Sequence, residues 1–235
     1  MVAPVCPGMD VDPRYKAVCF DMDGTLLDTK VDYEKMSNVI FDEMVRVGVP
    51  EEVIDRSEGY KFNLDSGVNY LFSHGRADDV YAIGVKVAKI ARDIEMEKVD
   101  EARPFPKAPE LLEWIHSRGL RTGLLTRGCR EYAEAAMKVC GVTDLLDGVV
   151  ARDDYPESEA KPSPKAMEHI ADILSVRTDE ILFFGDHVFD YHCARDAGSG
   201  FVGVLTGTYT RKDWKDIADI DIYESVGDFY DHLSH

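Results

Sequence analysis

The sequence predicts an α/β fold in which a parallel β-sheet is flanked by helices and an all-helical segment is inserted after the first strand. Short apolar runs recur through the second half of the chain, and helical patterns separate them. Strands that alternate with helices form parallel sheets with right-handed crossovers. Between Asp28 and Arg103 the pattern changes, because this stretch contains no convincing strand and its apolar residues follow helical spacing.

The core is predicted from strand-like runs at residues 17–20, 121–126, 148–151, 181–185 and 201–205. One intervening helix should end near Arg118-Gly119, a basic last turn followed by a glycine cap, and the next should end at Gly141. A third should follow Ser163-Pro164, which is an N-cap with proline at the first helical position, and a short fourth should end near Ala197-Gly198. Because these strands are almost wholly apolar, the sheet should be buried on both faces. We therefore expect a Rossmann-like core over residues 14–28 and 103–235.

The inserted segment, residues 29–102, is predicted to be a helical cap domain. Two apolar series have helical spacing: Tyr33, Met36, Ile40, Met44 and Val47, and then Val80, Ile83, Val87, Ile90 and Ile94. Residues 59–75 are mixed and predict a loop with a short helix, and residues 103–106 are expected to be a linker back to the core. Because the insertion begins directly after residue 28, it should cover the turn that follows the first strand.

Composition excludes several classes of protein. With 235 residues, 45% of them hydrophobic, the chain can bury a substantial core. Its formal net charge of −18 should repel nucleic acid and anionic membranes, so neither is an expected partner. No apolar run is long enough to cross a bilayer, and residues 1–12 lack the pattern of a secretory signal. Any site for an anionic ligand would need local cations, from a metal or from lysine and arginine.

The five cysteines indicate a reducing compartment. Their number is odd, no two form a CxxC pair, and a chain of this size does not need disulfides, so we expect thiols and a cytoplasmic location. Cys129 should lie near a helix start, where a thiolate is favoured, but a small packed side chain is the simpler expectation.

The most informative motif is the pair Asp21 and Asp23 at the end of the first strand, followed by Gly24-Thr25. Residues i and i+2 of a strand point to the same side, so both carboxylates can approach one small site. Like charges held together raise each other's pKa unless a cation or proton lies between them, which suits a hard metal such as Mg²⁺. The alternative is an ordinary polar turn.

Three further motifs follow. Thr126, Arg127 and Gly128 come after a strand, where a hydroxyl and backbone N–H groups could hold a phosphate oxygen, although a helix cap is equally typical. Lys161, just before a helix start, could neutralise a phosphate or a carboxylate, or be ordinary surface. Asp186 ends another strand and could reach the same metal, with Asp190 as support or as a helix cap. In a parallel sheet, ligands bind beyond the carboxyl ends of the strands.

This order of motifs resembles the haloacid dehalogenase-like superfamily, in its phosphoglycolate phosphatase-like and phosphomutase-like branch with an inserted helical cap. The resemblance implies that Asp21 is a nucleophile that becomes phosphorylated and that Asp23 is the acid/base. It implies Mg²⁺ bound by Asp21, by Asp23 through its backbone carbonyl, and by Asp186, supported by Asp190 and Thr25. Thr126, Gly128, the backbone near Arg127, and Lys161 would hold the phosphoryl oxygens. Dehalogenases lack the second acid, so Asp23 argues against carbon–halogen cleavage.

The function expected from this resemblance is Mg²⁺-dependent hydrolysis of a small phosphorylated metabolite by a monomer or homodimer. A phosphomutase acting on sugar phosphates and a non-catalytic phosphate-binding protein remain as alternatives. Arg127 stands where relatives often have asparagine, so it is either a substrate contact or turned to solvent, and His187 is either a contact or an ordinary residue at a helix start. The polar candidates for specificity in the cap are Lys61, His74 and Arg76.

Overall fold

In the computed structural model, which describes residues 11–233, six parallel strands form the main sheet and two short strands form a separate pair. The strands are β1 (Ala17–Phe20), β2 (Leu27–Asp28), β3 (Arg103–Pro104), β4 (Arg121–Leu125), β5 (Gly148–Val150), β6 (Ile181–Gly185), β7 (Gly200–Val204) and β8 (Asp221–Tyr223). The order in the main sheet is β5-β4-β1-β6-β7-β8, and β2 pairs antiparallel with β3. The predicted α/β fold with a parallel sheet is confirmed.

Helices flank this sheet and also make up most of residues 30–99. They are α1 (Tyr33–Arg46), α2 (Tyr60–Ser73), α3 (Ala77–Met96), α4 (Ala108–Ser117), α5 (Arg130–Cys140), α6 (Pro164–Leu174), α7 (Val188–Ala197), α8 (Arg211–Ile217) and α9 (Val226–Leu233). Helix α6 begins at the capping residues that the sequence predicted. The Ser163 side chain accepts a hydrogen bond from the backbone N–H of Lys165, and Pro164 occupies the first turn. Gly141 and Gly198 end α5 and α7 in the left-handed conformation.

Strand β1 lies at the centre of the sheet, between β4 and β6. The chain leaves β1 toward β4 and β5, and it leaves β6 in the other direction, toward β7 and β8. The strand order therefore reverses between β1 and β6, and a ligand site is expected beyond the carboxyl ends of these two strands.

The sheet packs tightly against α6 and α7. Alternate residues of β1, Ala17 and Cys19, face a buried cluster that includes Met167 and Ile170 of α6 and Ala194 of α7. A Cβ atom at Gly123 of β4 would lie 2.6 Å from the Cys19 sulfur, so only glycine leaves room for this packing. Burial of the Cys19 thiol raises its pKa, as expected for a core residue without reactivity.

Residues Lys30–Val99 form a second compact unit, and Met1–Thr29 with Asp100–His235 form the first. The second unit has its own core, in which Met36, Ile40 and Met44 of α1 pack with Ile83 and Val87 of α3. The sequence-based boundaries, at residues 29 and 102, lie within a few residues of this division.

The expectation of a loop and short helix over residues 59–75 was wrong, since Tyr60–Ser73 form a 14-residue helix. Tertiary contacts hold this helix. The Asn63 side chain accepts a hydrogen bond from the backbone N–H of Asp55 and donates one to the Asp55 carbonyl. Gly67 lies against Met44, whose sulfur would be 2.6 Å from a Cβ atom at that position.

Two other regions differ from the sequence analysis. The linker at residues 103–106 begins with strand β3, which pairs with β2, and β8, α8 and α9 near the end of the chain were not predicted. Cys6 and most of residues 1–12 lie outside the described residues, and Cys19, Cys129, Cys140 and Cys193 are thiols. Within residues 11–233, every helix is too short or too polar to cross a membrane.

Candidate active site

The two aspartates of the first motif lie in a tight turn that begins where β1 ends. The Asp21 N–H donates to the carbonyl of Phe184 in β6 at 2.8 Å, which ties the first residue of the turn to the neighbouring strand. The N–H groups of Leu26 and Leu27 both donate to the Met22 carbonyl. Gly24 adopts φ +79°, a conformation that side chains disfavour, and this lets the chain reverse within the turn. Asp21 is consequently buried at the end of the central strand.

Lys161 reaches this turn from the segment before α6. Its Nζ atom donates to Asp21 Oδ1 at 2.5 Å and to Asp190 Oδ1 at 2.6 Å, and its side chain is only 2% exposed. Burial alone would lower the pKa of Lys161, but the charges of Asp190 and Asp21 outweigh burial and raise that pKa above its usual value. Lys161 is therefore a fully charged ammonium held between two carboxylates.

Asp190 serves both the lysine and the start of α7. Its second oxygen, Oδ2, accepts a hydrogen bond from the backbone N–H of His187 at 3.1 Å, which completes a capping box at the start of that helix. Asp190 therefore caps α7, as one of the two sequence-based alternatives predicted, and also bonds to Lys161; its support of a metal site stays a prediction.

Asp186 follows β6 and is fixed by two neighbouring segments. Thr25 Oγ1 donates to Asp186 Oδ1 at 3.2 Å, and the Thr208 N–H donates to Asp186 Oδ2 at 2.9 Å. A Cβ atom at Gly207 would lie 1.9 Å from the same Oδ2, so only glycine at this position leaves room for the Asp186 carboxylate. These contacts hold the carboxylate in one orientation.

The carboxylates of Asp21, Asp186 and Asp190 offer oxygens that all lie within 4.8 Å of one another, and all three residues are buried. Burial raises the pKa of Asp21 well above its usual range, Lys161 opposes that rise, and the neighbouring carboxylates add to it. Burial and the charge of Asp190 raise the pKa of Asp186 to about 6. One ammonium does not balance three carboxylates, so the cluster favours a further cation. Oxygen donors of this kind suit a hard divalent ion.

Asp23 accepts hydrogen bonds from two hydroxyl groups. The Tyr132 hydroxyl and the Thr29 hydroxyl each donate to Asp23 Oδ1 at 2.6 Å. Tyr132 is fully buried in α5, so its hydroxyl has a fixed position. The rotation of the Asp23 carboxyl group is therefore set by both donors.

The second motif lies between β4 and α5. The buried Thr126 hydroxyl oxygen accepts the Gly128 N–H at 2.9 Å, which leaves its own hydrogen as a donor. A Cβ atom at Gly128 would lie 2.7 Å from the Tyr132 ring. The Nη1 atom of Arg127 donates to the Lys161 carbonyl at 2.5 Å, and its Nη2 atom donates to Glu157 at 2.8 Å. These bonds link the second motif to the segment that carries the lysine, and a substrate contact of Arg127 stays a prediction.

The remaining candidates have structural partners. His187 Nδ1 accepts the Phe189 N–H at the start of α7, and burial lowers the pKa of the ring. Cys129 is the buried residue that precedes α5. In the second unit, Lys61 pairs with Asp65, Arg76 pairs with Asp79, and the His74 ring lies against Tyr70. The proposed roles of Lys61, His74 and Arg76 in specificity stay predictions.

Four residues of the site were missed in the sequence: Thr29, Tyr132, Gly207 and Thr208. Gly207 and Thr208 follow β7, the strand next to β6, so the strand-end rule that identified Asp186 could have found them. Tyr132 carried no such signal, because an aromatic residue at helical spacing is typical of a core position. It meets Asp23 only because β4 lies beside β1.

Comparisons with known proteins identify relatives over most of the chain. The family model of haloacid dehalogenase-like hydrolases matches residues 18–204. A phosphoglycolate phosphatase of Nitrosospira multiformis is 25% identical over 222 residues, which cover 92% of this chain and 93% of that protein. The N-acetylmuramic acid 6-phosphate phosphatase of Pseudomonas aeruginosa is 29% identical over 204 residues, which cover 83% of each chain.

Solved structures share the fold. A hydrolase from Pseudomonas syringae aligns with a TM-score of 0.66 at 22% identity, over 93% of this chain and 98% of its own. A HAD-superfamily hydrolase from Ehrlichia chaffeensis aligns with a TM-score of 0.59 at 18% identity, over 94% of this chain and 96% of its own. The family match covers most of the chain, and the matched stretch includes the strand ends that carry Asp21, Thr126 and Asp186. The chain therefore belongs to the haloacid dehalogenase-like hydrolase family.

Proposed function

We propose that this protein is a Mg²⁺-dependent phosphatase that hydrolyses a small phosphorylated metabolite through an aspartyl-phosphate on Asp21. The observation that carries the proposal is the pairing of two differently held aspartates on one turn. Asp21 lies in the buried cluster with Lys161, whereas Asp23 is held by two hydroxyls. Two carboxyl groups in different environments can act as nucleophile and as acid/base within one reaction.

The substrate class rests on the relatives. Proteins similar over most of this chain are named for their phosphatase activity on phosphoglycolate and on N-acetylmuramic acid 6-phosphate. A further relative, from Halalkalibacterium halodurans, is named a pyrophosphatase. The activities that these names describe all transfer a phosphoryl group to water, and they differ in the leaving group. They support a phosphate ester or anhydride of a small molecule as the substrate, and they select no single compound.

In the first step, an Asp21 carboxylate oxygen attacks phosphorus while the bond from phosphorus to the leaving oxygen breaks. Asp23 gives its proton to the leaving oxygen, so the product departs as an alcohol. Lys161 balances charge at Asp21, and the hydrogen of the Thr126 hydroxyl is suited to bind a phosphoryl oxygen.

In the second step, the Asp23 carboxylate removes a proton from water, and the water oxygen attacks the phosphorus of the aspartyl-phosphate. The bond from phosphorus to the Asp21 oxygen breaks, which releases inorganic phosphate and restores the Asp21 carboxylate. Asp23 is protonated again, so the cycle closes without any other reagent.

The residues present fit Mg²⁺. Asp21 and Asp186 would bind it with the Asp23 carbonyl, and Asp190 would support them from its bonds to Lys161 and His187. When bound, the ion neutralises negative charge on the carboxylates and on the phosphoryl group.

The proposal is tested by a phosphate-release screen of the purified protein over a broad panel of phosphate esters. We expect release that requires Mg²⁺, stops with EDTA and returns with excess Mg²⁺. Chromatography of the products separates hydrolysis from isomerisation, because a phosphomutase would convert one sugar phosphate into another without phosphate release. An absence of turnover across the panel in the presence of Mg²⁺ would reject the proposal.

Tyr132→Phe should slow the reaction in a manner that depends on the leaving group. The substitution keeps the ring and removes the hydroxyl that orients Asp23, so protonation of a poor leaving group should suffer most. For an alkyl phosphate, we expect the single-turnover rate of aspartyl-phosphate formation to fall about tenfold or more. This is less than the whole effect of general acid catalysis, because Asp23 itself is still present. For p-nitrophenyl phosphate, whose leaving group needs no proton, this rate should change little.

The matched control is Tyr223→Phe, which removes a hydroxyl on the edge strand β8. Tyr223→Phe should leave the single-turnover rate unchanged for both substrates. Equal losses on both substrates with Tyr132→Phe would mean that Tyr132 has only a structural role.

Gly207→Ala should weaken metal binding because the new methyl group would displace the Asp186 carboxylate. Substitutions that disturb the groups behind metal ligands reduce affinity about 10- to 100-fold. The measurement is the rise in melting temperature with Mg²⁺ concentration, which reports binding without catalysis. Gly59→Ala is the control, because its Cβ atom would have no neighbour within 4 Å. An unchanged Mg²⁺ dependence in Gly207→Ala would contradict this account of Asp186.

A further inference from the structure

Arg127 stands on a fixed backbone between β4 and α5. The N–H of the preceding residue, Thr126, donates to the Val150 carbonyl of β5 at 3.0 Å. On the other side, the Arg152 N–H donates to the Gly128 carbonyl at 3.0 Å. The Arg152 guanidinium donates to the carbonyl of Arg127 itself at 2.8 Å. Hydrogen bonds at three successive residues hold this backbone, so the Arg127 side chain extends from a rigid support.

The Arg127 side chain crosses to the segment that carries Lys161. Its Nη1 atom donates to the Lys161 carbonyl at 2.5 Å, and its Nη2 atom donates to Glu157 Oε1 at 2.8 Å. Glu157 begins a single turn of 3₁₀ helix, Glu157–Glu159, between β5 and α6. The planar fork of a guanidinium suits such a paired contact, and it binds this segment at two points.

The surroundings of Arg127 are unlike those of a residue that recognises an anion. Its side chain is only 15% exposed, and Glu157 pairs with its positive charge. An anionic leaving group would be attracted only weakly, because the Glu157 carboxylate offsets the field of the guanidinium. These observations favour a third role, beside the substrate contact and the solvent-facing side chain that the sequence left open.

Lys161 is held at both ends. Its Nζ atom lies between Asp21 and Asp190, and its backbone carbonyl accepts the hydrogen bond from Arg127. The side chain of a lysine is a flexible stem, so the place of the ammonium depends on where the backbone is fixed. A shift of this backbone would pull Nζ away from Asp21. The bond from Arg127 therefore sets the reach of the ammonium.

We propose that Arg127 is a positioning residue that holds the Lys161 ammonium against Asp21 by fixing the Lys161 carbonyl, with Glu157 orienting the guanidinium. Its effect on catalysis rests on the proposed function, in which Lys161 balances charge at Asp21. Its support of the buried ion pairs of Lys161 depends on no reaction. A misplacement of about 1 Å in a catalytic group can cost about 100-fold in rate. Loss of Arg127 should therefore be costly although the residue does not touch the substrate.

A double-mutant cycle tests the support of Lys161 without an assay of catalysis. Urea denaturation in EDTA gives the unfolding equilibrium constants of the wild type, Arg127→Met, Lys161→Met and the double variant. Arg127→Met should raise this constant about tenfold more in the wild type than in the Lys161→Met background, which corresponds to 1.4 kcal/mol of coupling. Additive effects would overturn the proposal, because Arg127 would then stabilise the fold independently of the ammonium.

The matched control is Arg195→Met, which removes an exposed arginine of α7 that pairs with Asp196. Its effect should be additive with that of Lys161→Met. If the double variant of the main cycle does not fold in EDTA, Glu157→Ala takes the place of Arg127→Met, since it frees the guanidinium but removes fewer contacts. Additivity in this milder cycle would equally reject the proposal.

Kinetics with several substrates test the effect on catalysis. Arg127→Met should lower kcat about 10- to 100-fold and leave KM nearly unchanged. The loss should be the same for an alkyl phosphate and for p-nitrophenyl phosphate, because Lys161 acts at the phosphoryl group that all substrates share. Arg127→Lys keeps the charge but lacks the fork, so it should recover only part of the rate. A rise in KM confined to one leaving group would identify a substrate contact and overturn the proposal.

The two experiments separate this inference from the proposed function. If no phosphate ester is turned over, the phosphatase proposal fails, while the double-mutant cycle still reports whether Arg127 supports Lys161. If turnover is found but Arg127 and Lys161 are additive, the positioning role is rejected and the phosphatase proposal stands.

Discussion

Asp21→Asn is expected to abolish turnover while leaving the protein folded. The substitution replaces the carboxylate that we propose as the nucleophile by an amide of nearly the same size, so the proposed aspartyl-phosphate could not form. Loss of a nucleophile in an enzyme of this kind costs several orders of magnitude, up to about 10⁶-fold in kcat. We expect at least a ~1,000-fold loss in Mg²⁺-dependent phosphate release, measured on the substrate that the screen identifies.

The stability of the same variant distinguishes a catalytic residue from a structural one. Burial and the nearby carboxylates already raise the pKa of Asp21, which shows that its charge is unfavourable in the folded protein. A neutral amide removes that repulsion, and Lys161 keeps its bond to Asp190. In EDTA, the melting temperature of Asp21→Asn should therefore equal or exceed that of the wild type.

The control for Asp21→Asn is Asp196→Asn, an exposed aspartate of α7 that pairs with Arg195. It should keep full activity. Acid-quenched mass spectrometry adds a direct observation, because the phosphorylated peptide around Asp21 should be found in the wild type and not in Asp21→Asn. Residual turnover of Asp21→Asn above about a tenth of the wild-type rate would exclude Asp21 as the nucleophile.

Lys161→Met should cause the largest loss of stability of any single substitution in the site. Lys161 is the cation that the structure bonds to both Asp21 and Asp190, and both carboxylates are buried. Removal of one partner from a buried ion pair typically costs about 3–5 kcal/mol, because the other charge stays without compensation. We expect a loss of this size in the free energy of unfolding, measured by urea denaturation in EDTA.

A second substitution tests this explanation. Asp190→Asn in the Lys161→Met background removes one of the uncompensated charges but keeps an oxygen that can accept the His187 N–H. It should restore part of the lost stability. Mg²⁺ should also stabilise Lys161→Met more than it stabilises the wild type, since the ion supplies the missing positive charge.

The control for Lys161→Met is Lys165→Met, an exposed lysine in the first turn of α6 that pairs with Glu168. Its loss should change the free energy of unfolding little, because exposed ion pairs contribute little to stability. If Lys161→Met were no more destabilising than this control, the buried charge balance described here would be incorrect.

The sequence predicted the core well because its strands are short apolar runs that end at abrupt polar turns. The predicted runs at 121–126 and 181–185 correspond to β4 and β6, and the ends of these runs marked Thr126 and Asp186. These two residues could be identified from the local sequence alone, because parallel strands place their carboxyl ends at one edge of the sheet.

Helix α2 could not be predicted in the same way, since its stability comes from elsewhere in the chain. Asn63 and Gly67 are poor helix formers, and locally they favour a loop. In the folded protein the Asn63 side chain bonds to the backbone of Asp55, and Gly67 gives room to Met44. Tertiary contacts thus reverse the local preference.

The role of Tyr132 was hidden for a related reason. The residue is 109 positions from Asp23, and its ring occupies a typical core position of α5. Only its hydroxyl contributes to the site, and no local pattern distinguishes that tyrosine from a phenylalanine. Residues that orient a catalytic group from a helix face become visible once the strand order is known.

The central position of β1 has a consequence for local unfolding. Every residue of this strand pairs with β4 on one side and β6 on the other, and the Asp21 amide continues the ladder to β6. Amide hydrogens there should exchange with deuterium only when the whole domain opens, whereas edge strand β8 can fray alone. Asp21, the proposed nucleophile, should therefore stay in place through the fluctuations that let substrates enter and products leave.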